Sequence, residues 1–231
     1  MFLAPLARSS VGRKALVALT GLGLLGFVIA PMLGNLQVFA GPEALNAYAA
    51  QLKSLGPLLW VARGGLLALF AAHVVLALKL AGESKAARPQ PYARAVGNVQ
   101  AGKATKTMVL TGCTIAAFVL YHLAHFTWGV VHPGHHGVPL DEQGRHDVYA
   151  MVVTGFQEPL VSGLYLVAMA LLAVHLFHGI ASTLQTLGLN SPRHRPLIDR
   201  IGRGLALVIF LGNASMPLAI LLGLIGLPEG A

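Results

Sequence analysis

The stretch ALVALTGLGLLGFVIAPMLGNLQVF, residues 15–39, decides the fold. It contains no charged residue, and about 20 apolar residues are enough for a helix to cross the hydrocarbon core of a bilayer. It is too long for a cleaved signal peptide and lacks the flanks of one. The sequence therefore predicts a transmembrane helix that stays in the protein, with Pro31 near its far end.

The composition predicts that the rest of the chain follows the same plan. Of its 231 residues, 55% are hydrophobic and 10% are charged, with a mean hydropathy of +0.70. So much apolar surface cannot be buried inside a globule of this size. Four further apolar stretches run over 57–81, 106–130, 159–186 and 202–226. We predict an all-α bundle of five transmembrane helices that forms a single domain over 1–231.

The basic residues predict the orientation of this bundle, because Lys and Arg stay on the cytoplasmic side of short loops. Thirteen of the sixteen lie before the first span or around the second-to-third and fourth-to-fifth connections. The other three are Lys53, Arg63 and Arg145. We therefore expect a cytoplasmic N-terminus and an external C-terminus in a bacterial inner membrane. The net charge of +8 then reflects topology and contact with lipid, and not nucleic-acid binding.

Three connections have distinct characters. Residues 40–56 predict a short amphipathic helix at the outer surface, and the basic, proline-containing loop after the second span predicts an irregular segment open to a cytoplasmic partner. The outer loop 131–158 holds His132, His135, His136 and His146, which suit a metal ion, although exposed loop histidines usually have no specific partner. The single cysteine, Cys113, excludes an intramolecular disulfide and a cysteine metal cluster.

Five histidines lie inside the predicted spans, where an ionisable group is costly and tends to be functional: His73, His122, His125, His175 and His178. His73 and His175 each lie 16 residues from the start of their spans, which run in the same direction. On the two spans of opposite direction, the same count reaches His122 and Pro31. Two histidine levels suit two stacked bis-histidine haems, and hydrogen bonding across helices is the alternative.

The chain resembles a known family in the order and spacing of six segments: GRKALVALTGLGLLGFVI, LGNLQVFAGPEALNAYA, LKSLGPLLWVAR, LYHLAHFTWG, GLYLVAMALLAVHLFHGIASTLQTLGLN and GNASMPLAILLG. This family is the five-helix, di-haem cytochrome b membrane anchor of succinate:quinone oxidoreductases, the succinate dehydrogenases and fumarate reductases. The resemblance implies electron transfer through haem b between an iron–sulfur subunit and a quinone, most often menaquinone. It also implies a flavoprotein subunit that carries the succinate chemistry.

The resemblance assigns His73 and His175 as axial ligands of the inner haem and His122 as one ligand of the outer haem. The family's partner for His122 is a histidine three residues before Gly-Asn, where this chain has Pro31. Proline has no donor atom for iron, so the outer haem is absent, five-coordinate, or held by another group such as Met32. We expect a defective or altered outer site.

Other residues receive secondary roles. His125 and His178 are expected to hydrogen-bond haem propionates or neighbouring helices. Quinone candidates at the outer ends of the spans are Asn35, Arg63, Trp128, Gln157 and Glu158. Two alternatives remain open: an ion or metal transporter with histidine ligands, and a structural anchor without haem.

Overall fold

The computed structural model describes residues 8–87, 107–189, 191 and 193–228. These residues are mainly helical and include no β-strand, so the all-α prediction is confirmed. The helices are α1 (Ser10–Asn35), α2 (Pro42–Ser54), α3 (Pro57–Ala86), α4 (Met108–His122), α5 (Pro133–His136), α6 (Val148–Gln157), α7 (Pro159–Thr186) and α8 (Arg195–Leu221). A 3₁₀ turn over Leu36–Ala40 continues α1, and a π turn over Leu123–Thr127 continues α4.

Five helices in the described part of the chain are long and apolar enough to span a membrane: α1 with its 3₁₀ turn, α3, α4 with its π turn, α7 and α8. The protein is therefore a multi-pass membrane protein. The bounds of α7 are those predicted, whereas α3 runs on to Ala86 and α8 occupies Arg195–Leu221. The last turns of α3 and the first turns of α8 are polar. A prediction from hydropathy therefore does not include them in the helices. The rest of the predicted irregular inner loop, 88–106, lies outside the described residues.

The connection after α1 contains the predicted helix, α2. Gly41 has φ 99°, a conformation that favours glycine, and Pro42 follows at the first helical position, where its missing N–H costs nothing. Glu43 in the first turn and Lys53 in the last complement the helix dipole.

The chain divides into two compact units. Unit 1 comprises Met1–Phe27, Gly64–Cys113 and Leu172–Leu207, and unit 2 comprises Val28–Arg63, Thr114–Leu171 and Val208–Ala231. Within unit 1, glycines let helices approach closely, since a Cβ at Gly23 would lie 2.6 Å from Leu69 Cδ2. Arg13, 8% exposed, joins α1 to α3 through an ion pair of 2.6 Å with Glu83.

Unit 2 has a continuous apolar core. Its buried members are Val38, Leu45, Tyr149, Val153, Phe156, Val161, Tyr165, Met216 and Ile220. Large apolar side chains also lie on the outside of the spans, and α3 has no buried residue in its whole length. Exposed apolar surface of this extent suits contact with lipid tails.

A polar network in unit 2 joins α2 to the segment before α6. The Asn46 side chain, in a residue 2% exposed, donates to Asp147 Oδ1 (3.0 Å) and Asp141 Oδ2 (3.3 Å) and accepts from the Tyr149 N–H (3.0 Å). Arg145 donates to Asp141 Oδ2 (2.7 Å) and Glu43 Oε2 (2.7 Å). We call these residues the clamp.

Charge within the clamp shifts its titrations. The hydrogen bond from Arg145 is the main cause of a lowered pKa at Glu43. At Asp141 desolvation opposes the shift, but hydrogen bonds from the backbone and side chain of Arg145 and from the Gln143 backbone lower its pKa overall. The ion pairs therefore stabilise the fold above the unfolded-state pKa values, about 4 for both carboxyls, and the contribution is lost as pH falls through the lower folded-state values.

Replacing Asn46 with aspartate should destabilise unit 2, because a third carboxylate would face Asp147 and Asp141 where a donor is needed. We expect a cost of roughly 2–4 kcal/mol. Thermal unfolding in detergent measures it, and Gln51→Glu, an exposed change of the same kind on α2, is the matched control. Equal unfolding midpoints for the two variants would show that the hydrogen bonds of Asn46 do not stabilise unit 2.

The Arg145 ion pairs predict a pH-dependent difference between two proteins. Arg145→Met should lower the unfolding temperature at pH 7, and its difference from wild type should shrink as the pH is reduced from 5 to 3. Arg200→Met, an exposed arginine outside the clamp, should show no such convergence. A difference that persists unchanged at pH 3 would show that the carboxylates do not act through Arg145.

Candidate functional site

His73 on α3 is oriented by a threonine on α1. Thr20 Oγ1 lies 2.8 Å from the Leu16 carbonyl and 3.1 Å from the Val17 carbonyl, so its one hydrogen is donated to the backbone. The same oxygen lies 3.1 Å from His73 Nδ1. A hydroxyl has one donor, so it must accept here, and we assign the ring hydrogen to Nδ1. The lone pair of His73 is then on Nε2.

His175 on α7 repeats this arrangement with a threonine on α4. Thr111 Oγ1 donates to the Thr107 carbonyl (3.0 Å) and lies 3.3 Å from His175 Nδ1. The same argument places the ring hydrogen on Nδ1 and the lone pair on Nε2. The Val17 and Met108 backbones are further hydrogen-bond partners of the His73 and His175 rings, respectively.

A glycine follows each threonine and lies beside the histidine ring. A Cβ at Gly21 would lie 3.2 Å from His73 Cε1, and one at Gly112 would lie 3.3 Å from His175 Cε1. Both rings belong to unit 1, and His73 lies within electrostatic range of His175. Two Thr-Gly pairs on two spans therefore support two imidazoles on two others.

The Thr-Gly pairs are functional candidates that sequence reasoning missed. Their signal in the sequence is the tripeptide Leu-Thr-Gly, which occurs at 19–21 and again at 110–112. The spans that contain it carry neither His73 nor His175. Threonine and glycine are both common in membrane helices, and threonine there usually donates a hydrogen bond to the backbone of its own helix. Neither residue type therefore indicates a functional site by itself. The assignment needs the helix neighbours, which the sequence does not supply.

His122 lies in unit 2, enclosed by aromatic rings. Its ring centroid is 6.2 Å from that of Phe118, 6.0 Å from Phe126 and 5.9 Å from Tyr165. The π turn that begins at Leu123 directly follows it, and such turns are frequent at functional sites. The turn also places His125, which is fully buried, against the same tyrosine.

A hydrogen-bonded chain leads from His122 to a carboxylate. Tyr165 Oη lies 3.3 Å from His122 Nδ1 and 3.2 Å from His125 Nδ1. His125 Nε2 lies 3.0 Å from His135 Nδ1, and His135 Nε2 lies 3.1 Å from Glu158 Oε1. We call these five residues the histidine chain.

The carboxylate end fixes the direction of the histidine chain. A carboxylate oxygen accepts, so we assign the His135 ring hydrogen to Nε2, which donates to Glu158, and Nδ1 accepts. Because His135 accepts at Nδ1, His125 must donate to it from Nε2. His125 then accepts at Nδ1, and Tyr165 donates to it. Tyr165 then accepts from His122 Nδ1, which leaves the lone pair of His122 on Nε2.

The position expected to oppose His122 offers no ligand. Helix α1 continues through Pro31, and α1 begins at Ser10 and α4 at Met108, so the equal residue counts for Pro31 and His122 do not hold. Both residues nevertheless belong to unit 2. Met32 is 5% exposed and packs on α8, because a Cβ at Gly212 would lie 2.6 Å from Met32 Sδ. Its thioether is thus part of helix packing.

The remaining candidates are dispersed. His178 lies half-buried on α7, one turn after His175. Of the quinone candidates, Glu158 contacts His135 and Arg63 lies over the Trp60 ring at 5.0 Å. Asn35, Trp128 and Gln157 are exposed, and no hydrogen bond, ion pair or ring contact among the described residues joins these five into one site. An apolar recess of about 260 Å³ lies instead between α4 and α7, bordered by Phe118, Tyr121, Leu164 and Ala168.

Fold and site together define a multi-pass helical membrane protein with paired, oriented histidines inside its spans. Comparison with protein-family models, curated proteins and solved structures gives no match. The family resemblance seen in the sequence therefore stays a prediction, and the function is argued from the residues.

Proposed function

We propose that this chain is the cytochrome b membrane anchor of a succinate:quinone oxidoreductase in a bacterial cytoplasmic membrane. It would hold the flavoprotein and iron–sulfur subunits at the membrane and pass electrons between them and a quinone. The expected quinone is menaquinone. The observation that carries the proposal is the pair of Thr-oriented histidines in unit 1, His73 and His175.

The residues present in unit 1 fit a haem. Axial imidazoles bind iron through a nitrogen lone pair while the other ring nitrogen donates to a fixed acceptor, and Thr20 and Thr111 supply that acceptor. Gly21 and Gly112 leave the space beside the rings that any larger side chain would fill. Held by two imidazoles, haem b supplies one-electron transfer with no open position for substrate.

Charge supports the orientation of the anchor. Unit 1 contains 13 of the 16 Lys and Arg residues, and Lys53, Arg63 and Arg145 all belong to unit 2. By the positive-inside rule this distribution supports a cytoplasmic N-terminus and an external C-terminus. His73 and His175 would therefore lie on the side where an iron–sulfur subunit docks.

We propose one six-coordinate haem per chain. His122 presents a lone pair in unit 2, but Pro31 has no donor atom and Met32 packs on Gly212. The apolar recess between α4 and α7 has the character of a quinone site, since such sites are mainly apolar with few polar groups.

A haem assay with substitutions tests the inner site. The complex purified in detergent should contain one low-spin haem per chain, and His73→Ala and His175→Ala should each abolish it. His194→Ala removes an exposed histidine of unit 1 and should leave the haem in place. A complex without Soret absorption, or low-spin haem retained in both ligand variants, would overturn the proposal.

The Thr111 contact predicts a change in potential without loss of haem. Thr111→Val removes the hydroxyl acceptor for the His175 N–H, which makes the imidazole a weaker donor to ferric iron. A lost hydrogen bond of about 1 kcal/mol corresponds to a rise in reduction potential of roughly 40 mV. Potentiometric titration measures it, and an unchanged midpoint would contradict a hydrogen bond from an iron-bound His175 to Thr111.

The proline predicts a gain of function. Pro31→His should raise the haem content from one to two per chain, because it supplies a donor at the position that the family resemblance pairs with His122. Leu33→His, on an exposed position of the same helix, should leave the content at one. Two haems in the unsubstituted protein would show that another group completes the second site.

A further inference from the structure

The segment between α4 and α7 brings together three metal-ligating groups that the proposed function does not use. His132, His135 and Glu158 each offer one ligand atom, and these atoms all lie within 4.8 Å of one another. Zn²⁺ bonds nitrogen and oxygen at about 2.1 Å, so the ligand atoms of a tetrahedral ion lie roughly 3.4 Å apart. Small side-chain rotations are enough to close the difference.

The backbone is shaped to hold the first two ligands together. His132 has φ 55° and ψ 63°, and it is the one non-glycine residue of positive φ in the described ranges. Pro133 then begins the single turn α5, which carries His135. As a result the two imidazoles are stacked, with centroids 4.9 Å apart and planes 6° apart. A non-glycine residue in this conformation points to a functional constraint.

The second ligand is positioned by a buried partner. The side chain of His135 is 9% exposed, and its Nδ1 lies 3.0 Å from Nε2 of His125, which is fully buried. Metal-ligating histidines are usually held in this way through the nitrogen that does not bind the ion. The Nε2 atom of His135 then faces Glu158, whose side chain is half exposed and gives an ion a route of entry.

We propose that His132, His135 and Glu158 form a binding site for a divalent cation of the Zn²⁺ class. Two imidazoles and one carboxylate suit Zn²⁺ and leave a fourth position for water. When the cation binds Nε2 of His135, the ring hydrogen moves to Nδ1 and is donated to His125, and the ion ties the segment after α4 to the start of α7. The site does not depend on the proposed electron-transfer function.

Equilibrium dialysis against Zn²⁺, followed by metal analysis, tests the site on the full chain purified in detergent and stripped with a chelator. We expect one Zn²⁺ per chain at micromolar free metal. His132→Ala and Glu158→Gln should each weaken binding at least tenfold. His136→Ala is the matched control, because His136 lies in the same segment but its ring neighbours His146. It should bind as wild type does.

The outcomes separate this site from the other histidines. Failure of the wild-type protein to bind Zn²⁺, or wild-type affinity in both ligand variants, would overturn the proposal. Loss of binding in His136→Ala would do the same, since it would assign the metal to His136 and His146. If His132→Ala does not elute as a single species on gel filtration, Glu158→Gln decides the matter, because it keeps the size of a half-exposed side chain.

Discussion

The protein depends on the absence of water between its spans, where every polar group must find its partner within the protein. Thr20 and Thr111 show how this constraint works, because each hydroxyl hydrogen goes to its own helix backbone and only the oxygen remains to accept. That leaves one permitted hydrogen position for the facing imidazole. The orientation and the assigned tautomer of His73 and His175 thus follow from where these oxygen acceptors lie, with the Val17 and Met108 backbones as further hydrogen-bond partners of the two rings.

The two units differ in what this constraint produces. In unit 1 the two imidazoles have matching threonine supports on separate spans, which assigns a lone pair to Nε2 of each ring. In unit 2 a single lone pair, on His122, has no matching donor at Pro31. The aromatic rings and the histidine chain around His122 remain well packed despite this, with Tyr165 6% exposed. The packing around His122 is therefore complete with a proline at position 31.

The sequence predicted the helices better than their contacts. Long apolar stretches gave the five spans, and the bounds of α7 were correct, because hydropathy alone determines which segments lie in lipid. The histidines were found because charged groups are rare in spans. The Thr-Gly supports, the π turn after His122 and the nearness of Glu158 to His135 could not be found. Each of these features depends on how a helix is rotated about its axis or on the path of a loop. Neither produces a periodic pattern in the sequence.

The histidine chain links the proposed cation site to His122. If a cation takes Nε2 of His135, the ring hydrogen moves to Nδ1 and is donated to His125, and His125 then donates to Tyr165. Tyr165 must now either donate to His122, which puts a hydrogen on Nε2 and removes the lone pair, or leave its own hydrogen without an acceptor. An unsatisfied buried donor costs about 1–3 kcal/mol. A cation at one end therefore opposes metal ligation by His122 at the other, through hydrogen positions alone.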